Sequence, residues 1–118
     1  MISVVSPVYN SETCLEELVR KIIHSTKKIS KIIEIVLVDD GSSDKSWNKI
    51  KLLKKKYKFV KGIKLNKNYG QHQAIFIGIQ NSSFDITIIL DCDLQDNPKF
   101  IPEMYKKYKK YKKPVIIQ

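Results

Sequence analysis

Apolar and polar positions fall into two kinds of block along the 118-residue chain. Short, mostly apolar runs, as in ISVVS, EIVLVD, VKGIKL and DITIILD, have strand length and β-branched content. They predict strands over Ile2–Ser6, Glu34–Asp39, Val60–Leu65 and Asp85–Asp91, with a fifth over Val115–Ile117. Between them the apolar residues recur at helical spacing. Leu15, Leu18, Val19, Ile22 and Ile23 predict a helix over Ser11–Lys28. Trp47, Ile50 and Leu53 predict a second over Asp44–Lys56, with Asp44 placed to cap its start. Gln71–Gln80 reads as a short third helix, and Pro98–Tyr111 as a fourth, where Pro98 suits a first-turn position.

Strand–helix–strand order with right-handed crossovers gives an α/β domain: a three-layer, doubly wound, mostly parallel, Rossmann-like sheet. Ligands in such sheets sit at the carboxyl ends of the strands, near the point where the strand order reverses. That rule selects the four segments SPVYNSE, DDGSSD, NKNYGQ and DCDLQD. There is no internal repeat and no Gly/Ser linker, so residues 1–118 read as one domain.

Composition narrows the class. With 42% hydrophobic and 29% charged residues the chain is globular rather than disordered. No apolar run approaches the length of about 18 residues that spans a bilayer. Met1 leads straight into a strand rather than a targeting segment, so a cytoplasmic location is the expectation. Cys14 and Cys92 lie far apart without metal-ligand spacing and read as two thiols in a reducing compartment. The net charge of +10 comes almost wholly from lysine, with Arg20 the single arginine. Nucleic-acid recognition favours arginine forks, so nucleic acid is not the expected partner. A solvated lysine surface accounts for the charge; anionic lipid headgroups or a phosphorylated substrate are the alternative. In MYKKYKKYKK the tyrosines Tyr105, Tyr108 and Tyr111 recur every three residues. They either pack on the sheet with the lysines in water, or form a basic amphipathic face on an anionic membrane.

The acids of DCDLQD change the picture most. Alternate residues of a strand point the same way, so Asp91 and Asp93 share a side and Cys92 points to the other. Two such carboxylates suit Mg²⁺ or Mn²⁺, with room left for water and the oxygens of a diphosphate. The bland alternative, turn and cap residues, is the reading preferred for Asp96. In DDGSSD, Asp39 closes its strand and can accept hydrogen bonds from a base edge, while Asp40 can hold the turn that Gly41 permits. His72 stands close enough to this end of the sheet to reach a phosphate, or is simply a polar loop residue.

SPVYNSE, IVLVDDGSSD, NKNYGQHQAIFIGI and ILDCDLQDNP, in this order and spacing, resemble the nucleotide-sugar half of inverting family 2 glycosyltransferases. LQDNP directly after the DxD is similar to the DxDLQDPP of the polyprenyl-phosphate branch, the dolichyl-phosphate mannosyltransferases and undecaprenyl-phosphate sugar transferases. The resemblance runs from the first strand to about Met104 and implies a GT-A fold. It implies that Pro7, Tyr9 and Glu12 line the nucleoside pocket, that Asp39 lies against the base, and that Asn68 and Gly70 approach the nucleotide. It implies further that Asp91 lies by the ribose and diphosphate, with Asp93 and Gln95 as metal ligands. The donor it implies is a UDP- or GDP-sugar, and the acceptor a polyprenyl phosphate at the inner face of a membrane, as in glycolipid or polysaccharide synthesis.

Asn97 replaces the first proline of LQDPP. A larger departure follows: the family continues for about as much chain again, carrying the catalytic base and the acceptor pocket. The expected fold is therefore a truncated one, with no carboxylate after Glu103 to serve as base. A half-built sheet leaves an edge or an apolar face bare, so self-association is expected, and light scattering reads it directly. Two other classes compete. A phosphoreceiver domain matches in length and in DDG, Asp91 and Lys113-Pro114, but its acidic pair ends the first strand rather than the second. A non-catalytic basic binding module needs no metal site, and salt-dependent binding indifferent to metal and nucleotide would identify it.

Overall fold

In the computed structural model, residues 1–92, 101–103, 105 and 106 are described. Four strands, β1 (Ile2–Val8), β2 (Ile33–Asp39), β3 (Val60–Lys64) and β4 (Ile86–Ile89), alternate with α1 (Leu15–Thr26), α2 (Ser46–Lys56) and α3 (Gln71–Gln80). The sheet is parallel throughout, in the order β3-β2-β1-β4. The chain winds outward from β1 to β3, then crosses back to set β4 on the other side of β1. The order therefore reverses between β1 and β4.

Strand alternation sorts the apolar side chains into two layers. Ile2, Val4, Val8, Ile35, Leu37 and Ile88 face Leu15, Leu18, Ile22, Ile50 and Leu53 of α1 and α2. Val5, Val36 and Val38 face Ala74 of α3 on the opposite side. Burial on both faces explains why β1 and β2 read as nearly unbroken apolar runs. Helix α3 lies very close to the sheet: a Cβ at Gly78 would fall 2.4 Å from Val5 Cγ1. Its outer side stays uncovered among the described residues, with Phe76 54% and Ile79 41% exposed.

Boundaries moved where side chains capture backbone groups. Helix α1 starts at Leu15 rather than Ser11: Cys14 N–H closes a tight turn on the Ser11 carbonyl at 3.0 Å, and Leu18 N–H to the Cys14 carbonyl (2.9 Å) is an opening helical bond. The N–H groups of Ser11 and Glu12 donate to Ser46 Oγ (2.8 Å) and Asp44 Oδ2 (3.3 Å). Helix α2 starts at Ser46 rather than Asp44, whose Oδ1 accepts the Ser46 N–H at 2.9 Å. Strand β1 runs two residues past the expected Ser6, to Val8, and β3 ends one residue short of Leu65. Strand β4 is shorter than the expected Asp85–Asp91. Its last ladder bond runs from the Leu90 N–H to the Val5 carbonyl at 3.0 Å. The next residue of β1 to face β4 is Pro7, which has no N–H to continue the pairing. Of the expected fourth helix, Ile101–Glu103, Tyr105 and Lys106 are helical, with Ile101 buried in the α1 layer and Tyr105 packed against it. The expected strand Val115–Ile117, and Tyr108 and Tyr111, lie outside the described residues.

At the amino end of the sheet one buried carboxylate joins three strands. Glu34 Oε1 accepts from Ser3 Oγ at 2.6 Å and from the Ser83 N–H, and Lys61 Nζ lies 2.7 Å from Oε2. Burial pushes the Glu34 carboxyl up, but the hydrogen bonds from Lys61, Ser3 and Ser83 outweigh it and hold the group below its usual 4.5. A depressed folded value gives stability that is fully present above the ordinary value and is lost as pH falls through the folded one. Unfolding free energies of the native chain and Glu34→Gln, read from urea titrations, should therefore differ by about 1–2 kcal/mol at neutral pH and converge as pH falls through the lowered folded value. A constant gap across that range would show that the charge of Glu34 contributes nothing.

Candidate functional site

The parting of β1 and β4 after Leu90 opens a cleft of about 260 Å³ at the carboxyl edge of the sheet. Every one of the four strand-end segments contributes to it. Pro7, Val8, Tyr9 and Ser11 come from the first, Asp40 from the second, Asn68, Gly70 and Gln71 from the third, and Asp91 and Cys92 from the fourth. The cleft stands at the reversal of strand order, where open α/β sheets hold ligands.

Its walls are set by a lattice of side-chain-to-backbone bonds between loops distant in sequence. Asn10 adopts a left-handed conformation (φ 48°), which turns its side chain back toward the second loop. There Asn10 Oδ1 accepts from the N–H groups of Ser43 (2.8 Å) and Asp44 (3.3 Å) and from Ser43 Oγ (3.2 Å). Its own N–H donates to Ser42 Oγ at 3.0 Å. Asp44 completes the seam. Burial raises its carboxyl, but bonds from the Ser46 side chain and backbone and from the Glu12 N–H win, and the group sits below its usual value.

The second and third loops are joined through Asp40, which is 3% exposed. Its Oδ1 accepts the Tyr69 N–H at 2.8 Å and its Oδ2 the Gly70 N–H at 3.1 Å. Gly70 N–H is shared with Asn68 Oδ1 at 3.0 Å. Gly70 has φ 102° and ψ 155°, a region that residues with a Cβ scarcely enter, so its identity fixes how the loop passes into α3. Tyr9 and Tyr69 are half-exposed at the cleft's end of the sheet, and Tyr69 is anchored by its hydroxyl to Asn66 Oδ1 at 2.6 Å.

The structure brings together Pro7, Tyr9, Asn68, Gly70 and Asp91 of the expected nucleotide-site residues. Glu12 and Asp39 are not among the lining residues. Asp39 is 1% exposed and accepts the Ser42 N–H at 3.2 Å through Oδ1. Its Oδ2 has no hydrogen-bond partner among the described residues. The acid that reaches the cleft is the neighbouring Asp40. Parity explains the difference: Val36 and Val38 face α3, so Asp40 continues toward the loop that leads into α3 while Asp39 turns to the α1 layer. Asp93 and Gln95, the expected metal ligands, lie outside the described residues, as do Asp96, Asn97 and Pro98. Among the described residues no group of three His, Cys, Asp or Glu side chains could hold a metal ion. His72 is exposed on the first turn of α3 and is not among the lining residues.

A parallel sheet in this order, with its cleft at the switch point, defines an α/β domain of the doubly wound type. The order also differs from the 2-1-3-4-5 arrangement of receiver domains. Residues 3–118 match the family model described as Glycosyl transferase family 2, and the chain belongs to that family. It is 44% identical over 107 residues to the undecaprenyl-phosphate 4-deoxy-4-formamido-L-arabinose transferase of Salmonella choleraesuis (strain SC-B67), covering 90% of this chain and 33% of that one. The namesake protein of Pectobacterium atrosepticum is 43% identical over 104 residues, with 87% and 32% covered. The chain thus spans about a third of the length of the curated relatives it matches.

Among solved structures, the mannosyltransferase PcManGT from Pyrobaculum calidifontis, in complex with GDP-Man and Mn²⁺, superposes with a TM-score of 0.77 at 19% identity. That match covers 91% of this chain and 32% of the other. TarS of S. aureus (residues 1–349), in complex with UDP-GlcNAc, gives a TM-score of 0.63 at 25% identity, with 88% and 32% covered. The α/β, mostly parallel fold expected from the sequence is the fold observed, and it is that of the GT-A glycosyltransferases.

Proposed function

We propose that this chain is the donor-binding part of a family 2 glycosyltransferase. It binds a UDP- or GDP-sugar with a divalent cation, and the sugar passes to a polyprenyl phosphate in the synthesis of a glycolipid or polysaccharide. The observation that carries the reading is the convergence of all four strand-end loops on one cleft, held open by Asp40. In this arrangement Tyr9, Pro7, Asn68 and Gly70 hold the nucleoside, and Asp91 takes the ribose and diphosphate side. Glu12 and Asp39 act behind the lining, Glu12 through its N–H bond to Asp44 and Asp39 by supporting the turn that carries Asp40. Asp93 and Gln95 would hold Mg²⁺ or Mn²⁺, which supplies positive charge against the departing diphosphate.

A phosphate acceptor makes less demand on a catalytic base than an alcohol does. A phosphate monoester has a second pKa of about 6 and is mostly dianionic at neutral pH, so its attacking oxygen needs no proton removed. Attack on the anomeric carbon opposite the diphosphate forms the new C–O bond as the bond to the leaving group breaks, and the configuration inverts. A lipid-borne acceptor puts the reaction at the cytoplasmic membrane surface, and no helix among the described residues is long and apolar enough to cross a membrane. The bare Phe76 and Ile79 on α3 support self-association, or coverage by further glycosyltransferase sequence.

Calorimetric titration of UDP and GDP, each with Mn²⁺ and with EDTA, tests the reading on the native chain and on Asp93→Ala. Metal-dependent binding of one nucleotide, weakened at least about tenfold in the variant, is the expected result. Binding of neither by a folded sample would remove the donor-site assignment.

A further inference from the structure

The charge of this chain is not spread evenly. From Lys45 to Phe84 there is no acidic residue, and ten of the chain's 21 lysines fall between Lys45 and Lys67. The fold gathers that stretch on one side of the molecule, because α2 packs beside β3 and β3 is the sheet's edge strand. Lys51, Lys54, Lys55, Lys56 and Lys58 are exposed on and just after α2; Lys64 and Lys67 are exposed at the carboxyl end of β3. Of this group only Lys61 has an acidic partner among the described residues, Glu34. Like charges at this density repel one another, and an anionic surface relieves that repulsion. On the α1 side of the same helix Leu52 is 61% exposed, in a groove it shares with Lys49, Lys56 and Glu16 of α1.

We infer that the α2–β3 face is a docking surface for an anionic lipid bilayer. Three observations favour a bilayer over nucleic acid. The cations are all lysines, which act as compact point charges and lack the arginine fork used for bases and phosphates. Exposed Leu52 can enter the headgroup layer, as the apolar positions of interfacial helices do. The strip also ends at the cleft, since Lys67 adjoins Asn68 on its rim. A bilayer on this face would hold the mouth of the cleft beside the lipid surface, where a lipid-borne phosphate acceptor must be met. This last point rests on the proposed function; the charge and shape of the face do not.

Sedimentation with vesicles of phosphatidylcholine alone, and of phosphatidylcholine with phosphatidylglycerol, tests the inference on the 118-residue chain without nucleotide. The chain should bind the anionic vesicles, release with added salt, and ignore the neutral ones. Each lysine at such a surface changes binding by about fivefold, so K54Q/K55Q/K56Q should lose about 100-fold. K27Q/K28Q/K31Q, three lysines at the far end of α1, should lose much less. Equal losses in the two triple variants, no binding to anionic vesicles, or tighter binding to a single-stranded oligonucleotide would each overturn it. Because no nucleotide is present, these outcomes are independent of the calorimetric test of the donor site.

Discussion

Asp40→Ala should lower the unfolding free energy by about 3 kcal/mol, the cost of removing a buried carboxylate that accepts from two part-buried N–H groups and of orphaning one of them. The estimate is asymmetric between the two bonds. Gly70 N–H keeps Asn68 Oδ1 as a partner, whereas among the described residues Tyr69 N–H bonds only Asp40. Relief from burying the charge offsets part of the loss, which is why the figure is not larger. The effect on binding should exceed what stability alone implies. Releasing the third loop from the second frees Asn68 and Gly70 from the wall opposite Asp91, so nucleotide affinity should fall by more than about tenfold. Asp40→Asn provides the control for a variant that does not fold. It keeps one oxygen acceptor and should cost about half as much, with affinity falling further than the urea midpoint predicts. An Asp40→Ala chain with unchanged midpoint and unchanged affinity would show that the loops are positioned by something other than this carboxylate.

That carboxylate also marks where the sequence could be read and where it could not. Local signals were sufficient for the elements β1–β4 and α1–α3. The apolar runs located all four observed strands, and Gln71–Gln80 has the bounds expected for the third helix. What failed were features decided by partners distant in the chain. The turn that precedes α1 is tied to Ser46 and Asp44, more than thirty residues away, which accept the N–H groups of Ser11 and Glu12. Strand β4 ends early because Pro7, in another strand, has no donor to offer. The choice between Asp39 and Asp40 was open to sequence reasoning through parity. Val36 and Val38 sit on the face that α3 later covers, but which face α3 covers depends on the crossover back to β4. The concentration of lysines between Lys45 and Lys67 was visible as composition; only the edge position of β3 turns it into a surface.

Gly41→Ala is the second large effect, and its cause separates two properties of that glycine. Gly41 has φ 72°, which a residue with a Cβ adopts at a cost of about 1 kcal/mol. A Cβ there would also fall 2.5 Å from Asn68 N and from Lys67 C, and 2.9 Å from Lys67 O. These are backbone atoms and cannot rotate away, so the third loop must shift, and the Asp40 bonds to Tyr69 and Gly70 shift with it. Strain and lost bonds together should cost about 3–4 kcal/mol, read as a lower urea midpoint with an unchanged slope. Asparagine tolerates positive φ better than alanine does, which allows the two causes to be told apart. If conformation alone governed the site, Gly41→Asn would recover most of the stability lost in Gly41→Ala. Contact with Lys67 and Asn68 predicts instead that both variants are impaired to a similar degree and that both lose nucleotide binding, since either Cβ occupies the space in which the two loops meet.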